Sequence, residues 1–155
     1  MNRIPAPSRR IALLSARWHG DLVGRARDAA RAALSAVPSD PPMTLVAHEV
    51  PGALELPLAA RRLARSGRHD AVIAFALVVD GGIYRHDFVA QAVIDGLMRA
   101  QLDADVPVFS CVLTPQAFHE HDVHRRFFAE HLAEKGREVA AACLGMLESL
   151  DAIAA

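Results

Sequence analysis

The chain has 155 residues, enough for one domain with a substantial core, and its 52% apolar and 23% charged content is ordinary for a globular protein. A formal net charge of −1 argues against nucleic acid or an anionic membrane surface as the main partner. No apolar run is long enough to span a bilayer. The opening residues carry Pro5, Pro7, Arg9 and Arg10 where a signal peptide would be apolar, so a cytoplasmic location is expected.

Met1 to Arg9 read as an irregular N-terminal arm, leaving residues 10–155 as a single domain. Ile11 to Ser15 form a short apolar run that reads as a buried strand. After Arg17-Trp18-His19-Gly20, the residues Leu22, Val23, Ala26, Ala30, Ala33 and Val37 recur at helical spacing. Pro38, Pro41 and Pro42 end that helix. Thr44 to Val50 predict a second strand, and Pro51-Gly52 opens directly into a helix from about Ala53 to Ser66, with Gly67 just past its end. Ala71 to Val79 are apolar throughout, as a central strand covered on both faces requires. Asp80-Gly81-Gly82 breaks this strand. A third helix from near Asp87 should bury Phe88, Ala92, Val93, Gly96 and Leu97. Val106 to Leu113 predict a fourth strand. A polar helix rich in His and Arg follows, which Gly136 interrupts, and a last helix should bury Val139, Ala142, Cys143, Met146, Leu147 and Leu150. Strands alternating with helices imply an α/β fold, with a parallel sheet between helical layers. Cys111 and Cys143 sit in apolar patterns without metal or redox spacing, so buried free thiols are expected.

In a parallel sheet every strand-to-helix loop emerges at one edge, where ligands bind. Three such loops are chemically unusual. Trp18 follows a strand and is placed either to stack on a flat ring or to fill a core or an interface. In Gly52-Ala53-Leu54-Glu55, the helix start leaves N–H groups without intrahelical partners, and Glu55 suits the dipole. Asp80 to Asp87 combine paired glycines, which admit close backbone approach, with Arg85, a permanent cation, and His86, which titrates near neutral pH. Asp87 either orients the His or caps the next helix. The fingerprints of dinucleotide folds, P-loops and hydrolase nucleophile elbows are absent. His119, Glu120, His121, His124 and His131 lack the spacing of a zinc protease, so a solvated or intersubunit helix face is expected and no metal.

From about Arg10 to Ala152 the chain resembles the lumazine synthases. The resemblance rests on Ala16-Arg17-Trp18, Val50 to Pro57, the loop after the third strand, Val106-Pro107-Val108 and Lys135-Gly136. The segment Asp80 to Val89 is similar to the divergent second type, known from Brucella and rhizobia. The resemblance implies a three-layer α/β/α sandwich with a four-stranded parallel sheet in flavodoxin-like order, and an N-terminal arm that pairs with a neighbour. It also implies a reaction without cofactor or metal: 5-amino-6-(D-ribitylamino)uracil condenses with 3,4-dihydroxy-2-butanone 4-phosphate to give 6,7-dimethyl-8-ribityllumazine. Homo-oligomers built from pentamers are implied, the second type resembling decamers.

By the same resemblance Trp18 stacks on the pyrimidine, Ala53 and Leu54 offer amides, and Glu55 takes the ribityl hydroxyls. Backbone from Leu77, Val78 and Val79 reads the uracil edge, and Gly82 and Ile83 approach the phosphate. The family's catalytic His aligns with Arg85, one position before His86. A one-residue bulge makes His86 the proton carrier; without one, Arg85 acts electrostatically. The family's phosphate-binding Arg and Lys are replaced by Phe127 and His131, with Arg126, His131 or Arg85 as substitutes, and its intersubunit Phe by Ser110. The alternative is a flavin- or lumazine-binding storage protein on the same fold with weak catalysis.

Overall fold

The computed structural model describes residues 8–83, 85–115 and 122–155. Its elements are β1 (Arg10–Ala16), α1 (Gly20–Ser35), β2 (Thr44–Val50), a 3-10 turn (Ala53–Glu55), α2 (Leu56–Arg65), β3 (Ala71–Leu77), α3 (His86–Ala104), β4 (Val108–Leu113) and α4 (Asp122–Ala154). The strands form one sheet in the order β2-β1-β3-β4, and every neighbouring pair is parallel. This is the expected three-layer architecture.

Side-chain alternation along the strands builds two cores. Ile11, Leu13, Ile73, Phe75 and Leu77 face α1 and α4. Ala12, Leu14, Val72, Ala74 and Ala76 face α2 and α3. β3 is buried at every position, because both of its faces and both of its edges are covered. The second face is rich in Ala, which lets α2 and α3 lie close to the sheet. Those two helices also touch each other: a Cβ on Gly96 would lie 2.8 Å from the Pro57 ring.

Several expectations shift. Gly136 does not interrupt a helix; α4 runs unbroken for 33 residues. A Cβ there would lie 2.1 Å from the Ala26 carbonyl oxygen, so this glycine lets α4 cross α1 with backbone against backbone. On α3 the sheet takes Ala90, Val93, Leu97 and Ala100, and leaves Phe88 and Ala92 exposed. On α4 Val139, Ala140, Cys143 and Leu147 are buried, whereas Ala142 and Met146 face outward. An apolar pattern wider than one face left the choice of buried face to packing. Glu55 belongs to a 3-10 turn, and α2 proper starts at Leu56 with Pro57 in its first turn. The first helix ends at Ser35, before Val37; the third strand ends at Leu77; the fourth begins at Val108. The Arg9 carbonyl accepts from the Thr44 N–H at 2.8 Å, so the arm already joins the sheet at its last residue. Cys111 and Cys143 are free and buried, and burial pushes both thiols up to about 12. Among the described residues no helix is long and apolar enough to cross a membrane.

Candidate functional site

The C-terminal ends of the strands are tied together. The Arg17 N–H donates to the Val50 carbonyl and the Val78 N–H to that of Leu113, each at 2.9 Å. Above them lies a cavity of about 210 Å³, walled by Trp18, Val78, Val79, Ile83, Arg85 and His86. Its lining is mostly apolar with a few polar groups, as small-molecule sites are.

Trp18 reaches it through a tight turn. β1 stops at Ala16 and α1 starts at Gly20, with His19 between them in the left-handed region at φ 53°. The turn holds the indole outside the core, 51% exposed and stacked on the His19 ring at 5.2 Å between centroids. Its surface is therefore available to a flat ligand.

The loop after β3 gives its two basic residues different carboxylate partners. Gly82, at φ 78°, donates its N–H to Asp80 Oδ1 at 2.8 Å and closes a small turn. Arg85 donates to Asp87 Oδ2 at 3.0 Å and lies over the Phe88 ring, 4.2 Å from its centroid. The Arg85 hydrogen bond holds the Asp87 carboxyl below its ordinary value. His86 is the first residue of α3, and its Nδ1 lies 4.0 Å from Asp80 Oδ1. Asp87 therefore partners Arg85, while the carboxylate facing the histidine is Asp80. Reading Asp80-Gly81-Gly82 only as a strand breaker hides that carboxylate; the signal is an acidic residue six positions before the histidine, bent back by the glycines.

The remaining expected residues divide. Ala53 is buried at the 3-10 turn, and Leu54 and Glu55 are exposed there. The Glu55 carboxylate leans back over Gly52, where a Cβ would lie 3.0 Å from Oε2. The Leu77 side chain is in the core, so only its backbone can meet a ligand. Ser110, Phe127 and His131 do not line this cavity. Ser110 borders another, of about 480 Å³, between β4 and α4 beside Lys135 and Glu138. Phe127 is exposed and stacked on His131 at 5.8 Å. His119, Glu120 and His121 lie outside the described residues, as does the side chain of His124. Among the described residues no three metal-ligating side chains converge.

A family model described as 6,7-dimethyl-8-ribityllumazine synthase matches residues 8–151. The chain is 56% identical over 144 residues to the 6,7-dimethyl-8-ribityllumazine synthase of Rhodococcus erythropolis, spanning 93% of this chain and 92% of that one. It is 50% identical over 147 residues to 6,7-dimethyl-8-ribityllumazine synthase 2 of Bradyrhizobium diazoefficiens, spanning 94% and 87%. With the protein of the same name from Pseudomonas syringae pv. tomato the identity is 45% over 147 residues, spanning 93% and 84%.

Proposed function

We propose how this site works on the premise that the chain belongs to the 6,7-dimethyl-8-ribityllumazine synthase family. It is a transferase of riboflavin biosynthesis that condenses 5-amino-6-(D-ribitylamino)uracil with 3,4-dihydroxy-2-butanone 4-phosphate. The 5-amino nitrogen attacks the ketone, and loss of water gives a Schiff base. Phosphate leaves, and ring closure expels a second water. Both substrates are intrinsically reactive, so holding them in register supplies much of the rate.

In our reading Trp18 stacks on the pyrimidine while the backbone of Leu77, Val78 and Val79 holds its polar edge. The amides of Ala53 and Leu54, with Glu55, take the ribityl chain. Gly82 and Ile83 approach the phosphate, and Arg85 adds charge near it. His86 moves the protons. The observation that carries this reading is the cavity shared by Trp18, Val78, Val79, Arg85 and His86, in which the Arg85 guanidinium is engaged by Asp87 and Phe88. A permanently charged guanidinium cannot relay protons near neutrality, whereas an imidazole can.

Ser110, Phe127 and His131 reach the ligand from a neighbouring copy in a homo-oligomer built of pentamers, for which we favour the decamer. Support comes from their standing outside the lining of their own protomer's cavity and from the apolar side chains Ile94, Met98 and Leu102 left exposed on α3. Buried free thiols fit action in the reducing cytoplasm. With Phe127 and His131 where the family has Arg and Lys, the Michaelis constant for the butanone phosphate should exceed that of typical members; equal values would sink this. The direct test follows lumazine absorbance. His86→Ala should lower kcat by about 100-fold with KM little changed. Arg85→Ala should mainly raise KM for the phosphate substrate. The reverse pattern would transfer the chemistry to Arg85.

A further inference from the structure

Asp80 is the one carboxylate of the β3 loop turned toward the histidine, and nothing in the roles above uses it. We infer that Asp80 is a positioning residue for His86: its carboxylate fixes the imidazole with Nδ1 inward and Nε2 free to exchange protons with the substrate. The inference rests on the reading of His86 as proton carrier.

Three observations carry it. Asp80 Oδ1 accepts the Gly82 N–H at 2.8 Å, which anchors the carboxylate before any ligand arrives. The same oxygen lies 4.0 Å from His86 Nδ1, beyond a hydrogen bond but within ion-pair reach, so a shift of about 1 Å closes the contact. Catalytic hydrogen bonds commonly tighten in this way when substrate binds. Finally, His86 is the first residue of α3, where the helix dipole opposes a positive charge. An imidazole that must carry a proton there needs an anion beside it. The other charged groups of the loop do not supply one: Arg85 and Asp87 flank His86 but bind each other at 3.0 Å. Across the cavity, Trp18 presents an uncharged ring. A proton held on Nδ1 by Asp80 leaves Nε2 as the group that accepts and returns the proton, the tautomer-fixing role that a carboxylate plays toward a general base.

Asp80→Asn tests this without dismantling the loop, because the amide oxygen can still accept the Gly82 N–H while the charge is gone. With the full-length protein and both substrates, Asp80→Asn should lower kcat by about tenfold and leave both KM values within about twofold. The acid limb of the kcat–pH profile should move to lower pH. In a His86→Ala background the same substitution should cost nothing further, since Asp80 acts only through the imidazole. A wild-type kcat in Asp80→Asn, an unmoved pH limb, or a full extra loss in the double variant would overturn the role of Asp80. A rise in KM with unchanged kcat would instead make Asp80 a substrate contact. Should His86→Ala itself keep wild-type kcat, the underlying reading of His86 fails and the role of Asp80 fails with it. A fall in His86→Ala without one in Asp80→Asn removes Asp80 alone.

Discussion

At the scale of single residues, exposure separates the proposed ligand contacts from the core. The Trp18 indole is large, half exposed and held on a turn where it stacks on His19. Removing it should cost the stacking contribution, about 1 kcal/mol, and Trp18→Ala should weaken binding of a lumazine or flavin ligand by about fivefold. Trp18→Phe should recover most of that, as measured by ligand fluorescence titration. His69 is the opposite case. It is 8% exposed, and its Nδ1 lies 3.3 Å from both the Leu63 carbonyl and the Ser66 hydroxyl. Among the described residues its Nε2 and that of nearby His48 are buried without a hydrogen-bond partner. Burial, reinforced by Arg10, His48 and Arg68, pushes the His69 pKa below its ordinary 6.5. The folded state thus binds this proton less readily than the unfolded one. The stabilisation is complete above pH 6.5 and is lost as pH falls from there through the lower folded value. Urea midpoints should therefore drop between pH 7.5 and pH 5.5, and His69→Gln should show a smaller drop.

At the scale of elements, the tightest constraint is the crossing of α1 and α4. Gly136 has no space for a methyl group, because the obstacle is the Ala26 backbone and not a side chain that can rotate away. Gly136→Ala should destabilise by about 3 kcal/mol despite the better helix propensity of Ala. That corresponds to a fall in Tm on the order of 10 °C, which calorimetry would register. Gly145 makes the control. It lies on the same helix with open space where its Cβ would be, and Gly145→Ala should be neutral or mildly stabilising.

For the whole molecule, the two faces of the sheet are covered but the outer flank of α3 is not. Ile94, Met98 and Leu102 succeed one another at i, i+4 and i+8 along that helix, all of them exposed. Leu102 continues the patch past Val106 and Pro107 to Met146 and Leu150 at the end of α4. A surface of this kind fits burial against a second copy. Ile94→Glu combined with Met98→Glu should shift the sedimentation coefficient toward that of the monomer. Activity should fall with it if neighbouring copies complete each site. A double variant that sediments and turns over like the wild type would count against the proposed assembly.

The sequence by itself determined the class of fold, the four strands in their chain order and the sheet edge where the strand-to-helix loops gather. Uninterrupted apolar runs and Pro-Gly punctuation are local properties that a reader of residues can see, as Ala71–Leu77 and the Pro51-Gly52 step after Thr44–Val50 show. Tertiary structure decided what depends on partners distant in the chain. Whether Phe88 or Ala90 faces the sheet is settled by how α3 settles on an Ala-rich surface, since both positions are apolar. Whether Gly136 breaks a helix or lets two helices touch depends on Ala26, 110 residues earlier. The partnership of Arg85 with Asp87, and the approach of Asp80 to His86, arise from a turn whose direction is set by Gly82 at positive φ. Residue types are written in the chain, but which of two neighbouring groups meets a third is a matter of backbone direction, and only the folded loop supplies that.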